Sequence, residues 1–352
     1  MSKILLLPTV INQIKQLVAG LKLGTQLPPA TELAEKYKCN RSVISRALVS
    51  LEGKGLLESK DNGRGKIYYY EPRGAVKLGL IRRPQIQQSV DFFSHIAGRL
   101  LQHAASKEYA LEDGIPESPA QIDYAGAHMV GKALDFVKQG VSGVFFIPLE
   151  HSPENMIYNR RIMEIFLPTK IPLVLIDSDI EPFPQRSYCD LVSMDHFHAG
   201  YTLASILCQK GHEDIIFIKH EYSAPSVTAR HSGARHAWDR IGAAITVNAK
   251  DINAVSKLCR EHPHCAMICA NDRMAEDMHS SIRKSGYKVQ VPGGITLASF
   301  DNLSWAKENK IISLSQPIDA IAEGAFFCLR DRLHRPSIPP RTLFMQVQSS
   351  FG

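Results

Sequence analysis

Several apolar runs in this sequence deliver a polar residue just where a strand would end. PLVLID ends at Asp177, AMICAND carries Asn271 and Asp272, GITLASFD ends at Asp301, and Arg230 follows SAPSVTA after DIIFIK. The runs themselves are continuous and aliphatic, the texture of strands covered on both faces. Carboxylates, an amide and a guanidinium arriving at strand ends can each make directional hydrogen bonds to a hydroxyl-rich ligand. The competing reading for each residue is a helix cap or a turn. Asp272, which precedes a helical stretch, reads as such a cap. Asp177, Arg230, Asn271 and Asp301 together point to a site, because ligands of parallel α/β sheets bind beyond the carboxyl ends of the strands.

A different chemistry is written in residues 40–57, NRSVISRALVSLEGKGLL. Val43, Ala47, Leu48 and Leu51 make one apolar face of a helix. Arg41, Ser42, Ser45 and Arg46 fall on other faces. Arginine suits a bidentate contact with guanine, and serine can bond bases or phosphates. For Ser45 a solvated helix position is an equally good reading.

The elements that must position these residues differ between the two ends of the chain. Ile11, Ile14, Leu17 and Val18 are spaced as a first helix. LPP at 27–29 is a stiff entry to a second, TELAEKY, with Thr31 as its cap and Leu33, Ala34 and Tyr37 inward. The quoted helix follows after a brief turn, giving a helix-turn-helix. DNG and the IYYY run then predict a hairpin, a wing, with Arg64 and Lys66 beside Gly63 and Gly65 where backbone can approach a phosphate chain. PRGA begins a short link. From Val76 onward buried strands alternate with amphipathic helices, and the rhythm restarts near residue 190. The expected organisation is therefore α/β: a winged helix over 1–71, a linker at 72–76, and a two-lobed parallel-sheet body over 77–352. Its first lobe would take about 77–189 and 316–340, its second about 190–315 and 341–352.

Charge divides the chain in the same place. Residues 1–74 hold 12 Lys+Arg against 6 Asp+Glu, whereas the other 29 basic residues are balanced by 29 acidic ones, so the whole formal excess of +6 sits in the first fifth. Such an excess suggests that this segment meets a polyanion. No apolar run reaches the length of a membrane span, and the opening MSKILLLPTVINQIKQLV lacks the form of a secretory signal. Seven scattered cysteines without a CxxC fit reduced thiols in a cytoplasmic protein. CREHPHCAMIC gathers Cys259, His262, His264, Cys265 and Cys269, but the spacing matches no standard zinc pattern, so neither metal nor cofactor is expected. There is no GxSxG elbow and no phosphate-binding P-loop, and His196 and His198 lie two apart, off a common helix face. An enzyme acting on a small carbohydrate and a transport-type binding protein for one are the alternatives to a chain that binds DNA through its basic head and a small molecule through its body.

Two resemblances sharpen these expectations. GTQLPPATELAEKYKCNRSVISRALVSLEGKGLLESKDNGRGK resembles the GntR family of winged-helix regulators through Leu27, Pro28, Leu33, Ala34, Arg41, Val43, Ala47, Leu48, Leu51, Gly55, Gly63, Arg64 and Gly65. It implies operator DNA as the partner, with Arg41, Ser42 and Arg46 at the recognition helix. The chain departs from the family at Thr31, where an arginine that contacts DNA is frequent, and at Asn40, where serine is usual. Residues 77–350 are similar to the LacI/GalR type of periplasmic-binding-protein fold, through QGVSGVFFIP, IPLVLID, MDHFHAGYTLASILCQKGHEDIIFI, SVTARHSGARHAW, ICANDRMA and GITLASFDN. In that family the positions matching Arg230, Asn271 and Asp301 grip a sugar or similar effector, and Asp177 and Gln316 match further contact positions less closely. Phe92 is placed either to stack on a sugar ring or in the core. Arg82 and Arg83, where the family has smaller or polar residues, would serve an acidic effector group or stand as rim charges. The combination resembles the arabinose-repressor type of regulator, which implies a homodimer without membrane attachment.

Overall fold

The computed structural model describes residues 3–18, 21, 25–54, 56–61, 63, 65–70, 76–83, 92–106, 109–114, 125–290 and 292–347. The N-terminal unit is built from three helices and a hairpin: α1 (Lys3–Val18), α2 (Ala30–Lys36), α3 (Arg41–Gly53), β1 (Leu57–Asp61) and β2 (Lys66–Tyr70). Its core is the meeting of the predicted apolar faces. Ile14, Val18, Leu33, Val43, Ile44, Ala47, Leu48 and Leu51 are all buried, with Leu56 and Leu57 sealing the side toward the hairpin. β1 and β2 pair antiparallel, and Leu27 N–H donates to the Tyr68 carbonyl at 2.8 Å, so the segment before α2 is stitched to the wing.

The body holds two parallel sheets. The first contains β3 (Lys77–Ile81), β4 (Ala110–Asp113), β5 (Gly143–Phe146), β6 (Leu173–Ile176), β7 (Asp190–Met194) and β13 (Thr342–Met345), in spatial order β4-β3-β5-β6-β7-β13. The second contains β8 (Ile215–Lys219), β9 (Ile245–Thr246), β10 (Ala266–Cys269), β11 (Thr296–Phe300) and β12 (Ile312–Leu314), in order β9-β8-β10-β11-β12. Every residue of β5, β6 and β10 is buried, as expected for strands covered on both faces. The body's helices are α4 (Phe92–Ser106), α5 (Ala125–Gln139), α6 (Pro153–Phe166), α7 (His196–Gln209), α8 (Pro225–Ala237), α9 (Ile252–Glu261), α10 (Asp272–Lys284), α11 (Ser304–Glu308) and α12 (Ile318–His334).

The lobe boundaries differ from the sequence reading. The restart near residue 190 suggested that β7 opens the second lobe and that the chain re-enters it after 340. Instead β7 pairs with β6, and β13 pairs with β7, both in the first sheet. The chain crosses after Met194 and returns before Ile318, so the first lobe takes 77–194 and 318–345. A pattern of strand and helix marks where a unit begins, but only pairing decides which sheet an edge strand joins.

In both sheets the first strand, β3 or β8, has its successor on one side and the next strand on the other. This is the point where strand order reverses, and the crevice beyond it is where α/β sheets bind ligands. The strand ends there carry Arg82, Glu150, His220 and Asn271.

Candidate functional site

Two sites emerge. On the N-terminal unit, Thr31, Arg41, Ser45 and Lys66 line one concavity between the start of α2, the outer face of α3 and the wing, with a cavity volume of about 420 Å³. Ser42 and Arg46 are exposed on the adjoining face of α3, and Arg46 Nε donates to the Ser42 carbonyl at 3.4 Å. Val49, one turn beyond Arg46, is 54% exposed. Lys66 does not stand free: its ammonium pairs with Glu52 at 3.1 Å, and Glu52 also accepts from Ser59. This ties the wing to the end of α3. Gly63 and Gly65 both have positive φ, 76° and 137°, which side-chain-bearing residues rarely adopt, and they form the turn of the wing. Arg64 lies outside the described residues. Thr31 does not cap α2; the N-cap position is Pro29, with no side-chain bond, and Thr31 is left exposed toward the concavity.

The second site lies where the lobes join, and Arg230 is its hub. α7 and α8 cross so closely that a Cβ on Gly200 would come 1.8 Å from the Arg230 carbonyl oxygen, and one on Gly233 would come 1.9 Å from that of Phe197. The crossing holds Arg230 at 4% exposure. Its Nε donates to His196 Nδ1 at 3.2 Å, one terminal nitrogen donates to the Ala270 carbonyl at 2.7 Å, and the guanidinium lies 4.5 Å from the Phe300 ring centre. Because His196 Nδ1 accepts, its proton is on Nε2, which faces the Asp177 carbonyl at 3.1 Å and its carboxylate at 3.4 Å. Burial and the neighbouring Arg230 push the His196 pKa down, so the ring is neutral. His196 carries no site signal in the sequence beyond its unsuitability for catalysis. What marks it is its place as the first residue after the crossing between lobes.

Asp177 sits in the left-handed region with φ 72° at the end of β6. Burial pushes its carboxyl up, but His196, Arg230 and Ser226 together hold it below the usual carboxylate range. Asp301, at φ 108° after β11, is pushed the other way to about 7. Burial is the main cause; Asp272 and Asp177 add to it, while Arg230 and a 2.6 Å bond from Gln316 oppose it. Gln316 stands at the return crossing, and its buried Oε1 has no hydrogen-bond partner among the described residues. The structure thus brings Asp177, Arg230, Asp301 and Gln316 into one network.

The cap expected at Asp272 falls on Asn271 instead, and Asp272 takes an internal bonding role. Asn271 is the cap of α10, its Oδ1 accepting from Met274 N–H at 2.9 Å. Asp272 is buried and accepts from Ser299 at 2.5 Å, from Ser313 at 2.6 Å and from the Leu303 N–H at 2.7 Å, locking β10, β11 and β12 together.

On the first lobe two expectations are corrected. Phe92 is 5% exposed and packs in the core, edge-on to Phe93. Arg82 is no waiting cation: it is 6% exposed and forked onto Asp113, with contacts of 2.8, 3.1 and 3.2 Å. Arg83 pairs with Glu150 at 2.7 Å and lies over Phe93.

The cysteine and histidine run disperses. Cys259, Cys265 and Cys269 are buried with thiols pushed up by burial, His262 faces Asp214 at 3.0 Å, and His264 faces the Gly293 carbonyl. Among the described residues no group of three or more His, Cys, Asp or Glu is arranged to hold a metal. Among the same residues no helix is long and apolar enough to cross a membrane.

Fold and sites together define a winged helix-turn-helix joined to a two-lobed, type I periplasmic-binding-protein-like body. Comparison with known proteins agrees with each half. Residues 8–66 match the model of bacterial regulatory proteins of the gntR family, and residues 169–319 match that of the periplasmic binding proteins and sugar binding domain of LacI family. The HTH-type transcriptional repressor PurR of Vibrio campbellii is 24% identical over 190 residues, 51% of this chain and 55% of the repressor. That of Yersinia enterocolitica is 26% identical over 187 residues, 49% of this chain and 53% of the repressor. The chain spans about half the length of these curated relatives. Among solved structures, the transcription regulator CcpA of Lactococcus lactis superimposes with a TM-score of 0.61 at 16% identity, over 78% of this chain and 97% of that one. A transcriptional regulator CelR-cellobiose complex gives 0.60 at 16% identity, over 99% and 98%. At these identities the likeness is one of fold.

Proposed function

We propose that the protein is a transcriptional repressor whose operator affinity is set by a small carbohydrate-like effector held between its two lobes. The observation that carries this reading is the coexistence in one chain of a basic recognition face and a buried polar hub contributed by both lobes. Arg41, Ser42, Ser45 and Arg46 would address base edges in the major groove, and Lys66 and Thr31 the phosphates beside it. In the body, Asp177 from the first lobe and Arg230, Asn271 and Asp301 from the second would bind the effector, with Gln316 at the crossing. A ligand touching both lobes favours the closed arrangement by its differential affinity for it, and only that difference can change DNA affinity. The coupling expected of such a device is about 1–3 kcal/mol, roughly 5- to 150-fold in affinity.

The active form is inferred to be a homodimer, whose twofold axis demands a pseudo-palindromic operator. The repressor-type relatives support a cytoplasmic site of action. Selection of bound sequences from random duplex DNA tests the reading. Recovery of two inverted half-sites is expected. Recovery of no sequence preference would contradict it.

A further inference from the structure

The exposed face of α3 is not wholly polar. Ahead of Glu52, the exposed residues of this helix are Arg41, Ser42, Ser45, Arg46 and Val49. At about 100° per residue they follow one another around the helix in the order Arg41, Ser45, Val49, Ser42, Arg46, within roughly 140°. Val49 therefore stands in the middle of the face, one turn or about 6 Å along the axis from Ser45. Helical side chains lean toward the N-terminus, so Val49 covers the surface beside Ser45 and Arg46.

A single valine on a protein surface is ordinary. This one is set apart by its surroundings. It is 54% exposed, and no other branched aliphatic or aromatic side chain among the described residues of the head is exposed. The core does not need it, because Val43, Ile44, Ala47, Leu48 and Leu51 already supply the buried side of α3. The helix does not favour it either, since a β-branched side chain loses rotamer freedom against the preceding turn. The face does not continue beyond it: Glu52, on the next turn, is held by Lys66 at 3.1 Å and accepts from Ser59. Val49 is thus an apolar group enclosed by the guanidinium and hydroxyl groups of the recognition face.

Base edges in the major groove offer hydrogen-bond donors, acceptors and one kind of apolar group, the C5-methyl of thymine. The arginines and serines match the donors and acceptors. Val49 matches only the methyl. We infer that Val49 is a specificity residue that packs on the C5-methyl of one thymine in each half-site, beside the base pair that Arg46 addresses.

This rests on the operator reading above, and the test keeps the two apart. Half-sites are obtained by selection with the full chain. Each thymine position is then replaced by uracil in both half-sites at once, which removes the methyl and leaves the hydrogen-bonding groups of the base edge in place. Affinity is read by fluorescence anisotropy at one salt concentration. At one thymine position the replacement is expected to weaken binding about fourfold per half-site, the effect of one buried methyl group. In Val49→Ala the same replacement should make no difference, whereas Val49→Ile should keep the loss. Alanine is the better helix former at this exposed position, so the variant keeps the head folded. Half-sites without an invariant thymine, uracil that is neutral at every position, or a loss that persists in Val49→Ala would each overturn the assignment of Val49 and leave the operator reading standing. No sequence preference in the selection overturns the operator reading itself.

Discussion

The recognition face of the head and the hub between the lobes use arginine in opposite ways. Arg41 and Arg46 are exposed and spend little on their own protein; among the described residues Arg46 bonds only a carbonyl four residues back on its helix. Arg230 is buried, with two protein acceptors, an aromatic ring beneath it and three carboxylates in its field. A site for a polyanion needs cations that are available and can be screened by salt. A site for a small ligand needs polar groups fixed in advance, so that binding does not have to order them. The difference predicts which substitutions break one function and spare the other.

The largest effect is expected at the hub. Arg230→Ala leaves buried carboxylates without their counter-charge, so the effector response should disappear, with a loss of affinity above about 100-fold, and the body should lose roughly 3–5 kcal/mol of stability. Operator binding by the head should persist in the folded fraction, which anisotropy with a labelled duplex would show. Retained effector response would place the ligand elsewhere. Gly200→Ala comes next. Its methyl would meet the backbone carbonyl of Arg230, so α7 and α8 must separate, costing about 1–3 kcal/mol and weakening the effector response without touching the head. A variant with unchanged Tm and unchanged response would show that the crossing is not what fixes Arg230.

On the head, Arg46→Ala should weaken operator binding by about 1–3 kcal/mol and flatten the preference for one base, while effector affinity is unchanged. Lys66→Ala should have the smaller and less specific effect of lowering the slope of log affinity against log salt by about one, because Lys66 is given a phosphate role.

The effect that sharpens the comparison most is on pH. Asp301 holds its proton up to about 7 in the folded chain, against 3.8 for its ordinary value. The folded state therefore binds more protons than the unfolded one between these values, and its contribution to stability is lost as pH rises through about 7. Asp301→Asn should raise the Tm more at pH 8 than at pH 4. Equal shifts at both would mean that Asp301 titrates normally.

The head was legible in the sequence because its information is local. The apolar faces, the turn and the glycines of the wing lie within a few residues of what they position. The hub was legible only as residue types at strand ends. Its bonds join residues 49, 34 and 40 positions apart, between Ser226 and Asp177, Arg230 and His196, and Arg230 and Ala270. Whether an arginine is free also depends on distant partners: Arg82 reads as available until Asp113, 31 residues on, is seen to hold it. The same holds for β13, which joins the first sheet because of pairing with β7, and its lead-in Arg341 is bonded to Asp190 across 151 positions. Phe92 was ambiguous for a simpler reason, since an aromatic at a helix start serves core and ligand equally well until its burial is known.

The central claim is that the two sites are coupled through one chain. Fluorescence anisotropy with DNA from the gene's own upstream region, at one fixed salt concentration, with and without each of a panel of sugars and sugar acids, tests it most directly. The account predicts that the chain binds this DNA and that one sugar changes the affinity roughly 5- to 150-fold, with the change absent in Arg230→Ala. A sugar that binds the body, seen by thermal shift, yet leaves DNA affinity unchanged would contradict it.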